Sequence, residues 1–346
     1  MTGRRAIGLM AGSSCDGLDV VAVEFPEPDS SVRILASACP SIDLPLRRAR
    51  ELSAHDLQRL HVRFGRWMGE QVKAFADAHA LSDVEVVASH GFTVWHDPED
   101  GHTTQIGHGA YVAAACGMPV VCDLRSADLA HGGQGAPVVP MAESVLWPEY
   151  DAFLNLGGIA NIARHDADGG CVAYDLTACN QVLDRLVDPA GGAYDVGGRL
   201  AASGAVHADA LKALNELPYM RAAPPKSLDN GFSDRILSEL EHHQLSQVDA
   251  LATMVEHIAC QVARAADVAQ RVLVTGGGAH NTALVDAVRR HAATDIVVPD
   301  ATLVDLKEAV VMAWMGLRRL DGLPNVHGGA TGASRSTVGG TVYSPI

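Results

Sequence analysis

The stretch GLMAGSSCDGLDVVAVEF, residues 8–25, sets small and polar residues between two apolar runs. Residues 5–11 and 18–25 read as two strands joined by a glycine-rich turn. The pattern returns further on. Ala152–Asn155 is apolar, Gly157-Gly158 breaks it, and Ile159–Ala163 resumes a strand, with Val172–Tyr174 as a third strand ending at Asp175. Both halves therefore open with strand, glycine turn, strand, a repeat at the scale of a domain.

Between and beyond these openings the chain alternates helix and strand. Residues 53–80 carry Leu57, Leu60, Phe64, Trp67 and Met68 at helical spacing, and Val84–Ala88 and Met118–Cys122 are short apolar strands. Ser246 with Asp249 fits a capping box ahead of the stripe Leu251, Val255, Ile258 and Val262. Arg271–Thr275 is a strand, Gly276-Gly277-Gly278 follows, and Asn281 is placed to cap a helix from Thr282. Ile296–Pro299 reads as a last short strand and Glu308–Leu320 as a helix. The expectation is an α/β chain of two domains, 1–147 and 148–346, with the tail from Gly322 free to pack back on the first.

Composition narrows the class. The chain has 346 residues, 48% of them hydrophobic, and a formal net charge of −15. No apolar segment reaches 18 residues, and residues 1–14 hold no sustained apolar run, so neither a membrane span nor a secretory signal is read. Seven cysteines without a CxxC pair point to free thiols and a cytoplasmic location. The negative charge makes nucleic acid and anionic membranes poor partners. It does not exclude a phosphorylated ligand, which backbone amides can hold locally.

Three glycine turns stand out, at 12–17, 157–158 and 276–278, whereas the Walker A pattern and a usable GxGxxG are absent. Any one of them reads as an ordinary turn. Together they match two phosphate-binding hairpins in equivalent places and a third loop before a helix N-terminus, where the dipole favours anions. Ser13 and Ser14 add hydroxyls to the first turn. Asp16 and Asp19 add carboxylates, which suit a triphosphate only with a divalent cation between. Asp175, on a strand and followed by Thr177 and Asn180, is a candidate general base. A helix-capping aspartate is the plainer reading from local sequence. His90, His96, His102 and His108 recur every six residues, a spacing that fits no zinc site. Lys226 reads as a surface lysine or a phosphate contact, and Glu308 as a first-turn glutamate favoured by the helix dipole.

These residues resemble the anhydro-N-acetylmuramic acid kinase family of the actin-like sugar kinases. The pattern G-x-M-S-G-T-S-x-D-G-x-D appears as GLMAGSSCDGLD. It is followed in order by SHGFT (89–93), QIG (105–107), GMPVVCDLRSADLAHGGQGAPVVP (117–140), LNLGGIANI (154–162), ASG (202–204), PPKS (224–227), TGGGAHN (275–281) and EAVVMAW (308–314). The resemblance implies two actin-like (ribonuclease-H-like) domains flanking a cleft. It makes Gly12, Ser13, Ser14, Cys15, Asp16, Gly17, Leu18 and Asp19 the first phosphate hairpin, Gly157 and Gly158 the second, and Gly276, Gly277 and Gly278 the nucleotide loop. It implies ATP and Mg2+ as cofactors, with Asp16 reaching the metal through water. It places sugar contacts on His90, Thr93, Arg125, Gln134 and Glu308, makes Asp175 the catalytic base, and allows a homodimer.

By the same resemblance, water attacks C1 of a 1,6-anhydro sugar while O6 takes the γ-phosphate. Three departures bear on this. DLTACN (175–180) lacks both glycines of D-T-G-P-G-N, so side chains at Ala178 and Cys179 are expected where bare backbone would meet ligand. Phe92 replaces Gln in S-H-G-Q-T, and His108 replaces Asp in Q-I-G-D. Another anhydro sugar such as levoglucosan is therefore an alternative substrate, and a non-catalytic actin-fold binding protein an alternative class.

Overall fold

The computed structural model describes residues 3–12, 17–26, 32–166, 168–189, 192–224, 226–228 and 231–345. The chain forms two compact units, one of residues 1–148 and 306–346, the other of 149–305.

The first unit is built on β1 (Arg4–Ala11), β2 (Leu18–Phe25), β3 (Arg33–Ala38), β4 (Val84–Ser89) and β7 (Val120–Cys122). A separate hairpin is made by β5 (Phe92–Asp97) and β6 (His102–Ile106). The second unit contains β8 (Ala152–Leu156), β9 (Ile159–His165), β10 (Cys171–Ala178), β11 (Arg271–Thr275) and β12 (Asp295–Val297). The last strand, β13 (Thr341–Tyr343), returns to the first sheet beside β7.

The two sheets have the same wiring. In the first, β1 pairs antiparallel with β2 and β2 with β3, while β4 and β7 add in parallel on the other side of β1. In the second, β8, β9, β10, β11 and β12 repeat each of those pairings in turn. Two antiparallel additions on one side and two parallel ones on the other define the actin-like (ribonuclease-H-like) sheet, so the repeated strand–glycine–strand opening marks a real duplication of architecture.

The helix Ala54–Ala78 follows from its sequence. Ser53 caps it by accepting the Asp56 amide at 3.1 Å. Leu60, Phe64, Met68 and Val72, one stripe at helical spacing, are each at most 3% exposed, in a cluster with Ile7, Leu9 and Val87. In the second unit Ser246 accepts the Asp249 amide at 3.3 Å, opening the helix Gln247–Ala266. Its stripe Leu251, Val255, Ile258 and Val262 is buried against Leu154, Ile162 and Val274.

Two expectations need correction. The helix read as starting at Glu308 begins at Ala301, because Asp300 accepts the Leu303 amide at 3.1 Å and caps it there. Glu308 is therefore inside the helix, not in its first turn. Likewise β10 does not end at Asp175. It runs on to Ala178, with its register against β9 slipping by one residue between Asp175 and Thr177.

Gly8 has a packing role. A Cβ there would lie 1.7 Å from the Ala309 carbonyl oxygen, so only a bare backbone lets β1 lie against the helix Ala301–Leu320.

Candidate active site

In the first unit the structure gathers three of the expected sugar contacts. Arg125 donates through Nε and Nη2 to the Nε2 of His90, at 3.0 and 2.8 Å, and through Nη1 to the Gly135 carbonyl at 2.8 Å. His90 Nδ1 lies 3.0 Å from the Gly91 carbonyl, so the proton belongs on Nδ1 and Nε2 is free to accept. Burial, then the Arg125 charge, push the imidazole down to about 3, so His90 is neutral. Burial also lowers Arg125, to about 10, and the nearby Glu308 works against that. Glu308 is raised by burial, with Lys307 and Arg125 lowering it and Glu143 and Asp19 raising it. Arg125, Glu308 and Asp19 thus share one electrostatic neighbourhood, with His90 behind the guanidinium. Of the five N–H groups of Arg125, two have no hydrogen-bond partner among the described residues.

Thr93 and Gln134 make no side-chain hydrogen bond to this cluster among the described residues. Thr93 Oγ1 accepts from Gln105, the first residue of QIG, at 3.2 Å, which holds it to the β5–β6 hairpin. Gln134 has an exposed side chain, and its amide donates to Thr331 O at 2.9 Å. The loop that carries it hangs on Asp128, which is fully buried and accepts from Thr331 Oγ1 and the Gly135 amide, both at 2.8 Å. Asp128 was not among the sequence candidates, although it lies inside the quoted DLRSADLAHGGQG segment.

The first glycine turn is only partly described: Ser13, Ser14, Cys15 and Asp16 lie outside the described residues. Gly12 closes β1. Gly17 forms an isolated bridge to Ser41. The Leu18 side chain is 1% exposed in the core, and its amide donates to Pro40 O at 3.0 Å. Leu18 therefore anchors the hairpin and its side chain does not face a ligand.

In the second unit the two remaining glycine turns come together. The Gly157 carbonyl accepts the Asn180 amide at 3.1 Å, and the Gly158 carbonyl accepts those of Cys179 and Gln181 at 2.8 and 3.1 Å. The turn thereby caps the helix Asn180–Val187. In a trans peptide C=O and N–H point opposite ways, so the Gly158 amide faces away from that helix. Gly276 has φ +83°, and a Cβ there would lie 2.3 Å from Asn155 Oδ1. At Gly278 a Cβ would lie 2.8 Å from the Leu156 carbonyl, whereas at Gly277 the nearest atom is Asn180 Nδ2 at 3.6 Å. Asn180 Nδ2 donates to Leu156 O at 3.1 Å. Asn155 and Asn180 are thus the joints between the second hairpin and the GGG loop. Sequence reasoning missed both as site residues, although each stands in a quoted motif.

Asp175 lies in line with them. Across the sheet Asp175 pairs with Asn161, Asn161 with Asn155, and Asn155 with Thr275. Directly paired residues share a face, so a polar row crosses four strands, with Asp175 two strand spacings, about 10 Å, from Asn155. The half-buried Asp175 accepts the Leu228 amide through Oδ2 at 3.0 Å. Its main chain is held twice: its amide donates to Lys226 O at 3.1 Å, and its carbonyl accepts the Tyr219 hydroxyl at 2.8 Å. Lys226 itself donates to Tyr219 O at 2.9 Å and lies 4.5 Å from the centre of the Tyr219 ring. Burial raises the Asp175 carboxyl and the Leu228 amide draws it back.

The expectation for DLTACN is overturned. Ala178 and Cys179 are both fully buried in the core and present no side chain to ligand. Matched position by position, the absent glycines fall on Thr177 and Cys179. Thr177 is also fully buried, and its hydroxyl donates to His257 Nε2 at 3.0 Å while His257 Nδ1 reaches Asn215 Oδ1 at 2.7 Å. Burial pushes His257 down to about 3, which keeps it neutral and able to accept. The added side chains turn inward and are satisfied there. At His108, Nδ1 accepts the Ala110 amide at 3.3 Å and caps the helix Gly109–Cys116, a role an aspartate also performs. Phe92 packs against the first core.

Among the described residues no helix is long and apolar enough to cross a membrane. The family model described as anhydro-N-acetylmuramic acid kinase matches residues 4–345. A protein of that name from Methylorubrum populi is 35% identical, with all of both chains covered. Another from Acidiphilium cryptum is 36% identical over 98% of each chain. A hexokinase from Schistosoma mansoni complexed with glucose overlays with a TM-score of 0.45 at 12% identity, covering 90% of this chain and 85% of that one. With matches to the family over its whole length, the chain belongs to the anhydro-N-acetylmuramic acid kinases and is an ATP-dependent sugar kinase.

Proposed function

We propose that the chain converts anhydro-N-acetylmuramic acid to N-acetylmuramic acid 6-phosphate, opening the anhydro ring with water as it transfers phosphate. In this reading Asp175 takes a proton from water. The water oxygen bonds to C1, the C1–O6 bond breaks, and O6 attacks the γ-phosphorus of ATP, releasing ADP. Asp175 suits the role because its carboxylate is half-buried, oriented by the Leu228 amide, and mounted on a main chain pinned from both sides. The glycine turns at 157–158 and 276–278 would receive the nucleotide phosphates through backbone amides, where no side chain intervenes. Arg125, backed by neutral His90, and Glu308 would hold the sugar.

Mg2+ fits such a site, because it binds mainly through phosphate oxygens and water with one or two carboxylates. Asp16, outside the described residues, would reach it through water, and Asp19 would be a second carboxylate. When bound, the ion neutralises charge on the phosphoryl group.

The observation that carries the proposal is the polar row from Asp175 to Asn155, which puts a held carboxylate on the same sheet face as the glycine turns. The test is ADP release with anhydro-N-acetylmuramic acid and with levoglucosan, run in heavy-oxygen water. One label at C1 of a 6-phosphorylated product is expected. Label entering only inorganic phosphate would reduce the protein to an ATPase, and turnover confined to levoglucosan would change the substrate.

A further inference from the structure

A cavity of about 530 Å³ opens in the second unit among the helices Ala208–Asn215, Pro218–Arg221 and Gln247–Ala266. Leu211 supplies apolar wall, and Lys212, Arg221 and Arg264 bring three cations against one carboxylate, that of Glu216. Glu216 lies 3.8 Å from Arg221, so that positive charge is answered. Lys212 and Arg264 form no ion pair with any described residue. In a chain with 41 acidic and 26 basic residues, two unanswered cations facing one concavity are out of keeping with the rest of the composition. The volume falls in the ordinary range for small-ligand pockets. An arginine fork beside a lysine and an apolar wall is the chemistry that recognises a phosphate group.

The cavity is tied to Asp175 by two routes. Arg264 Nη1 reaches the Met220 carbonyl at 3.5 Å, and the preceding residue, Tyr219, donates its hydroxyl to Asp175 O at 2.8 Å. From the other wall, Asn215 holds His257, which holds the Thr177 hydroxyl two residues beyond Asp175. After burial, the Arg264 charge is the next cause lowering both the Lys226 ammonium and the His257 imidazole, so the guanidinium lies near both groups.

We propose that this cavity is a second binding site, for a phosphate dianion, and that its occupancy alters turnover through the Asp175 strand. The dianion has two sources, free phosphate or a phosphorylated sugar. Isothermal titration of the full chain with inorganic phosphate and, separately, with N-acetylglucosamine 6-phosphate distinguishes them. Equal affinity assigns the site to the anion alone, and tighter binding of the sugar phosphate assigns it to a phosphomonoester. Arg264→Gln and Lys212→Gln should each weaken binding about tenfold or more, since each removes a charge-assisted contact. Glu216→Gln should tighten it. Each variant should melt as the wild type does, because these side chains are exposed.

Absence of binding by both probes, or unchanged affinity in the Arg264→Gln/Lys212→Gln double variant, overturns the site. The turnover arm rests on the kinase reading, whereas the binding arm does not. A saturating probe should change kcat in the wild type but leave that of the double variant in place, and an unmoved wild-type kcat overturns the coupling.

Discussion

The Leu228 amide donates to the Asp175 carboxylate at 3.0 Å, from a loop whose Lys226 carbonyl also receives the Asp175 amide. The side chain and main chain of one residue are thus held by a single neighbouring segment. Asp175→Asn keeps an oxygen for Leu228 and removes the proton acceptor. Turnover should fall by about 10²–10⁴-fold, with sugar and ATP affinities nearly unchanged. Near-normal turnover in the Asn variant, measured by ADP release alongside calorimetric binding, would remove Asp175 as the base.

The same residue sets a pH dependence. Burial raises its carboxyl above the ordinary 3.8, so the acidic limb of kcat should lie above that value. For stability the sign is the reverse of a salt-bridged aspartate. The folded state holds the proton more tightly than the unfolded one, so the contribution is present at low pH and is lost as pH rises through the raised value. Asp175→Asn should therefore melt no lower than wild type at neutral pH. A clear drop in its Tm would show that the ionised carboxylate contributes stability.

Arg125 uses three of its N–H groups to bind His90 and Gly135. Lysine has no fork with which to keep those contacts and still reach a ligand. Arg125→Lys should raise the sugar KM about tenfold or more while leaving the KM for ATP unchanged. Equal changes in both constants would separate Arg125 from the sugar.

Gly277 alone in its loop has room on the protein side, the nearest atom to an added Cβ being 3.6 Å away. Gly277→Val should fold normally and lose the rise in melting temperature that ATP with magnesium produces. Gly276→Ala should itself melt lower, because its Cβ would meet Asn155 and Leu156 at a positive φ. An intact ATP shift in Gly277→Val would dissociate this loop from the nucleotide.

Lys307 and Glu143 form an ion pair in which both side chains are at most 5% exposed, beside Glu308. Glu143→Ala leaves the ammonium buried without its partner and should cost about 3–5 kcal/mol in urea unfolding. The double variant Glu143→Met/Lys307→Met should recover most of that loss. If the single variant is neutral, the pair is not desolvated in solution.

The amino-acid sequence by itself determined the strand–glycine–strand openings, the caps at Ser246 and Asn281, and the buried stripes of the long helices. Each depends on neighbours within a few residues, as period, cap and turn do. It also offered Asp175 and the glycine turns as candidates, while Arg125 and His90 came only through the resemblance to the kinase family. What only the tertiary structure decided is which of these meet. Asn155 becomes a joint because β8 and β11 pair in one register, setting it against Gly276 from over a hundred residues away. The substitutions in DLTACN read locally as an obstruction of the site. Yet the Thr177 hydroxyl finds His257, 80 residues later, and turns inward. Glu308 read as a helix start because Asp300 and the apolar residues after it form no unusual pattern, and only the structure shows Asp300 capping the helix. Such contacts depend on strand register and helix packing between distant segments, and neither leaves a periodic trace in the chain.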